Sequence, residues 1–179
     1  MPSVNIAKGY GMNKLLTVDG VSSVFELIPV VTFRVFGKPI PKGNHSAFVR
    51  GNRAIITDSY GGNLSHWQDL IRTAAVNAYD WTEIFKTYSG AVAIGMDFFF
   101  KHPANHWTIS GNRSKNYRDI YLKAPDADKL ARAVFDALTG TVYDDDNRAF
   151  IEHAAKWYGQ EGVIVTIFIV KEKINGLGI

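Results

Sequence analysis

The strongest constraint on the fold is a change of hydrophobic period in the second half of the chain. Residues 91–100 are almost continuously apolar, as a buried strand is. Residues 127–138 then carry Leu130, Val134, Ala137 and Leu138 at helical spacing, with Asp128, Arg132 and Asp136 four apart on another face. Residues 149–158 and 163–170 return to extended patterning on either side of Gly159-Gln160-Glu161-Gly162. The first half repeats the alternation. A β-branched and aromatic run at 31–36 stops at Gly37-Lys38-Pro39-Ile40-Pro41, and 47–50 and 53–57 read as a hairpin turning at Gly51-Asn52. Trp67, Ile71, Ala74, Ala75 and Ala78 predict a helix near 64–79 behind the capping candidates Asn63 and Ser65. The expected fold is α/β of the α+β kind: one compact domain over 29–173, with a mixed β-sheet and two main helices. Residues 1–28, without a clean period and interrupted by Gly9, Gly11 and Gly20, are read as an N-terminal extension, and 174–179 as a tail.

With 179 residues, 46% of them apolar, the chain can bury a full core. The absence of cysteine excludes disulfide frameworks, thiolate zinc sites and cysteine nucleophiles, so any metal must be held by oxygen or imidazole. The apolar stretch 24–33 is broken by Glu26 and Pro29, which suits neither a membrane span nor a signal peptide. A cytoplasmic, intracellular protein with no membrane partner is expected. A net charge of +3 permits a polyanionic partner without demanding one.

The chemistry concentrates between Pro125 and Asp146, where six of the 17 acids fall. Pro125 biases its predecessor toward extended backbone, so Asp126 and Asp128, two apart, can share a side. Arg132 follows one turn after Asp128. Carboxylates brought together repel, and a hard divalent cation relieves the repulsion. Such a site polarises a phosphoryl oxygen and activates water, which is the chemistry of phosphodiester hydrolysis. The residues alone also admit a plainer reading, in which Asp126 or Asp128 caps the helix and Asp144, Asp145 and Asp146 form a solvated turn. A calcium loop starting at Asp126 would need Gly at 131 and Glu at 137, and both positions are Ala.

The order Pro-Asp-x-Asp, a helix ending Phe135-Asp136-Ala137-Leu138-Thr139, an Asp-Asp pair and a strand bearing Lys156 resembles the RusA family of Holliday junction resolvases. The likeness is densest over 124–158 and extends to Gly37-Lys38-Pro39-Ile40-Pro41-Lys42-Gly43, similar to that family's proline-rich loop. The resemblance implies a homodimeric, Mg²⁺-dependent endonuclease, with Mn²⁺ as a possible substitute. It would act in DNA recombination and repair, nicking two strands of a four-way junction symmetrically. Asp126, Asp128 and Asp146 would be its catalytic acids and metal ligands, with Asp145 as adjacent support. Lys129 stands where the family usually has Asn, and Arg132 where it has a catalytic Lys; charge is kept at the second position.

Residues 101–123 form an unusually long polar connection. It holds Lys101, Arg113, Lys115, Arg118 and Lys123 against the single acid Asp119, interleaved with Trp107, Tyr117 and Tyr121. Lys38, Lys42, Arg50 and Arg53 form a second basic stretch. Both suit contact with DNA phosphates, as does Lys129, although charged loops are also ordinary solvated surface. The five histidines show no shared ligand spacing on a helix face. Three functions stay in view: a junction resolvase, a nuclease for flaps, nicks or other branched DNA, and a non-catalytic junction-binding protein in which Lys129 and Arg132 serve as internal counterions.

Overall fold

The computed structural model describes residues 12–18, 21–43, 45–50, 53–58, 61–82 and 90–173, with the side chains of 12–24, 45–50, 53–58, 61–62 and 172–173 left out. Strands β1 (Met12–Val18), β2 (Val21–Phe36), β5 (Val92–Phe100), β6 (Ala149–Tyr158) and β7 (Gly162–Lys173) form a mixed sheet in the order β1-β2-β7-β5-β6. Only β5 and β6 pair in parallel. Two neighbouring parallel strands require a crossover, and the chain supplies it with residues 101–148, which contain helix α2 (Ala127–Leu138). Helix α1 (Gly61–Ala78) packs against α2 and β2. Strands β3 (His45–Arg50) and β4 (Arg53–Asp58) make a separate hairpin, closed by pairing of Arg50 with Arg53.

This is the α+β arrangement that the periodicity predicts, and the helix expected at 127–138 has those bounds. The other predicted helix starts three residues earlier than expected, at Gly61. The N-terminal stretch differs more. Residues 12–18 and 21–28, read from sequence as an extension, lie in β1 and the first half of β2, hydrogen-bonded to one another and to β7 as far as Val24 opposite Lys173.

Alternation along the strands sorts the side chains between two faces. Val31, Phe33 and Val35 of β2, Ile94, Met96 and Phe98 of β5 and Val163, Val165 and Ile167 of β7 enter one core with Trp67, Ile71 and Ala75 of α1 and Leu130, Val134 and Leu138 of α2. Leu130, Val134 and Leu138 have no exposed surface, so the apolar stripe of α2 is fully spent on this contact. The polar stripe, with Asp128 and Arg132, is left facing outward.

Strand β6 lies at the sheet edge, and its C-terminal half is covered by the long connection. Tyr121 N–H donates to Lys156 O at 3.0 Å, and Tyr158 N–H donates to Asp119 O at 2.7 Å. Along 149–154 no described strand pairs with the outer edge, and Phe150 and Ile151 there are 43% and 47% exposed. No helix among the described residues is long and apolar enough to cross a membrane.

Candidate active site

Asp126 occupies the N-cap of α2 with extended backbone (φ −69°, ψ 145°), yet its side chain makes no capping hydrogen bond. Its carboxylate is free of the role that most simply explains an Asp at this position. The side chain is 66% exposed, and Lys129 Nζ stands 3.2 Å from its Oδ2. Asp128 follows in the first turn, exposed, where the positive end of the helix dipole favours a carboxylate. Arg132 is exposed one turn further on.

The second group of acids stands just before β6. Asp144 Oδ1 pairs with Arg148 at 2.5 Å, and that hydrogen bond holds the carboxyl below its ordinary range. Asp145 caps a short 3-10 turn, accepting from Asn147 N–H at 3.1 Å. Asp145 thus takes the structural role, whereas Asp146 is exposed, its carbonyl accepting from Ala149 N–H and its carboxylate making no hydrogen bond or ion pair with the described residues. Asp146 is close to Tyr143, whose phenol is pushed well above its ordinary value by burial and further by Asp146 and Asp136. The Tyr143 hydroxyl donates to Phe135 O at 2.9 Å.

These contacts put the two groups at opposite ends of α2. Asp126 sits by the far end of β6, since Lys156 Nζ donates to Pro125 O at 2.8 Å. Asp146 neighbours the last helical turn through Tyr143 and Phe135. Nine residues of helix from Asp126 to Phe135 rise about 14 Å. Within one chain Asp126 and Asp128 therefore stand at one end of α2, and Asp145 and Asp146 at the other. Among the described residues no three His, Asp or Glu side chains gather as a metal site would require. Exposed carboxylate oxygens are the right donor type for Mg²⁺ or Mn²⁺.

The cations expected to meet DNA divide similarly. Lys38 is exposed on the proline-rich loop. Lys42 is committed to α2, with Nζ 2.6 Å from Asp136 Oδ2 and its backbone N–H on Lys129 O at 2.9 Å. Arg50 and Arg53 face each other across the β3–β4 turn, and their side chains lie outside the described residues. Arg113, Lys115 and Arg118 are all exposed on the long connection. Arg113 lies over the Tyr117 ring at 4.2 Å, and Arg118 donates to the carbonyls of Lys115 and Tyr117.

That connection is held by its own aromatic centre. His106 is buried, with Nδ1 2.9 Å from Nδ1 of His102, and His102 stacks against Tyr117 and Tyr158. Burial, then His102, Arg118 and Lys123, lowers the pKa of His106. Sequence reasoning gave no role to two further groups. One is Asp97-Glu152-His153: His153 Nε2 is 3.3 Å from Asp97, Nδ1 contacts Glu152, and Trp157 Nε1 donates to Asp97 at 2.7 Å. It depends on the register shift between Ile94 and Gly95, which no sequence pattern announced. The other is the contact of Lys156 and Tyr121 with the backbone before Asp126, invisible in sequence because its acceptors are carbonyls.

The start of α2 thus presents two exposed carboxylates, Asp126 paired with Lys129 and Asp128 beside it, with Arg132 one turn on and a basic, aromatic connection leading in. The model of the family described as Endodeoxyribonuclease RusA matches residues 37–169, and the chain belongs to that family. It is accordingly an endodeoxyribonuclease that hydrolyses phosphodiester bonds, of the class that binds branched DNA and resolves Holliday junctions. No curated protein matches the chain.

Proposed function

We propose that the chain resolves four-way DNA junctions by paired symmetric nicks, as an intracellular, cytoplasmic enzyme of DNA recombination and repair. The observation that carries this reading, beside the family match, is that Asp126 holds the N-cap position of α2 without using its carboxylate to cap the helix. Asp126, Asp128 and Asp146 are the catalytic acids, with Asp145 supporting the turn that presents Asp146. Mg²⁺, or Mn²⁺ in its place, would supply a polarised phosphoryl oxygen and an activated water. Arg132 neutralises charge on the phosphate under attack, as a permanent cation without a proton to give. Lys38, Arg113, Lys115 and Arg118, with Arg50 and Arg53, contact phosphates and so recognise the junction by its geometry.

A homodimer fits the reading in two ways. A two-fold substrate calls for a two-fold protein. Two copies packed with their α2 helices antiparallel would also bring Asp126 and Asp128 of one toward Asp146 of the other, which the spacing within one chain prevents. The open edge of β6, with Phe150 and Ile151 exposed, is a surface on which two copies could meet. One observation favours a non-catalytic alternative, the Lys129–Asp126 pair. An exposed pair of this kind is worth about 0.2–1 kcal/mol, too little to keep a divalent cation away.

The test is a synthetic four-way junction incubated with the purified protein, with and without Mg²⁺, beside flap and nicked duplexes. Metal-dependent nicks at symmetric positions in opposite arms are expected, with weaker cutting of the other forms. Asp146→Asn should lose at least about a hundredfold in rate and still bind the junction. Cutting by Asp146→Asn at the unaltered rate removes Asp146 from the reaction, and preferential cutting of flaps reassigns the substrate.

A further inference from the structure

The three residues before Asp126 are gripped by two side chains. Lys156 Nζ donates to Lys123 O at 2.7 Å and to Pro125 O at 2.8 Å, and Tyr121 Oη donates to Ala124 O at 2.8 Å. Three successive carbonyls are thus taken, in a segment where Pro125 has no N–H through which it could be fixed. Both gripping residues are themselves held. The Tyr121 ring stacks on Phe100 with centroids 4.1 Å apart and planes 19° apart, and meets Tyr158 edge-on. Its backbone N–H returns to Lys156 O at 3.0 Å, while the Lys156 ammonium lies 5.5 Å from the Tyr121 ring centre.

Asp126 follows directly, and among the described residues its carboxylate pairs with Lys129 on an exposed surface. Its direction is therefore set by the backbone behind it. An ammonium on β6 satisfied by two neutral carbonyls, with no carboxylate partner among the described residues, is an uncommon use of a lysine that a salt bridge could otherwise serve. We propose that Lys156, assisted by Tyr121, is a positioning residue that aims the Asp126 carboxylate by fixing the carbonyls of Lys123, Ala124 and Pro125. This rests on the reading of Asp126 as a catalytic acid. The same grip ties the end of the basic loop to that acid, so the loop and Asp126 move as one piece.

The test compares Lys156→Met, Lys156→Arg, Tyr121→Phe and Asp126→Asn in the full chain. Three quantities are measured: single-turnover nicking of a four-way junction, junction affinity without metal, and Mn²⁺ binding by electron paramagnetic resonance without DNA. Displacing a group that orients a ligand costs about 10–100-fold in activity or metal affinity. Lys156→Met should fall in that range in both, with junction affinity within about twofold of the parent, and Lys156→Arg should recover most of the loss. Tyr121→Phe, which removes one hydroxyl and leaves the stacked ring, should lose less in the same direction, and it decides the matter if Lys156→Met does not fold. Asp126→Asn inactive alongside Lys156→Met and Tyr121→Phe that nick and bind Mn²⁺ like the parent overturns the positioning role alone. Asp126→Asn as active as the parent overturns the reading of the acid and the positioning role with it.

Discussion

Lys42 Nζ lies 2.6 Å from Asp136 Oδ2, which fastens the proline-rich loop leaving β2 to the helix that carries Asp128 and Arg132. The side chains are 34% and 33% exposed, so water screens the pair, and such pairs contribute about 0.2–1 kcal/mol. Lys42→Met or Asp136→Asn should lower the melting temperature by no more than about 4 °C. Thermal unfolding of both variants and of the double variant checks this. A double variant that loses the sum of the two single losses would show the contact to be energetically empty.

The turn into β7 has less tolerance. A Cβ built on Gly162 would come 2.3 Å from the Val35 carbonyl oxygen, and that oxygen cannot retreat because Val35 and Phe36 pair with Val163 and Gly162. Gly162→Ala should therefore cost on the order of 1–3 kcal/mol, read from the midpoint of urea unfolding. Gly140→Ala is the contrast: its Cβ would meet nothing within 4 Å, and only its positive φ of 76° opposes the change.

The imidazole between Asp97 and Glu152 makes stability depend on pH. Burial disfavours charge on His153, but its hydrogen bonds to Glu152 and Asp97 outweigh burial and leave its pKa above the ordinary 6.5. A folded-state pKa above the unfolded one means that the contribution is fully present below about pH 6.5 and disappears as the pH rises through the folded value. Melting temperatures of the parent and His153→Gln should differ most near pH 6 and converge in alkaline buffer. A difference that grows with pH would contradict the assignment.

Phosphate contact by the long connection is measurable through salt. Lys115 is exposed, whereas the charge of Lys42 is already answered by Asp136. Each phosphate contact contributes about 0.9 to the slope of log affinity against log salt on duplex DNA. Lys115→Ala should reduce that slope for junction binding by about this amount, and Lys42→Ala by less. Equal reductions in a filter-binding titration would mean that Lys42 leaves Asp136 for the DNA.

Much of this was legible in the residues because two periods compete so clearly. Leu130, Val134 and Leu138 could be buried together only on a helix, and that is where they are. The β1–β2 hairpin was missed although Asp19-Gly20 stands between Val18 and Val21, a turn signal obscured by weak alternation on both sides. The acids Asp126, Asp128 and Asp146 are singled out by the family resemblance, but their separation is not. The 12-residue helix from Asp126 toward Asp146 is itself a rod of about 18 Å. Lys156 was visible only as a residue on a strand, since nothing in a sequence reveals that a side chain will seek main-chain carbonyls.

The strand order has a consequence for biosynthesis. β2, near the start of the chain, finds its partner in β7, and Val24 pairs with Lys173 across almost the whole length between them. β5 likewise waits for β7 on one side and for β6 on the other. While the ribosome is still adding residues before 162, the segments made first can build helices, the β3–β4 hairpin and the β1–β2 and β5–β6 pairs, but not the sheet into which β7 joins those pairs beneath the helices. Loop closure over such distances is slow, so the nascent protein passes through a stage in which Val31, Phe33, Ile94 and Met96 are synthesised and unsheltered, and chaperones that hold apolar segments have their opportunity then.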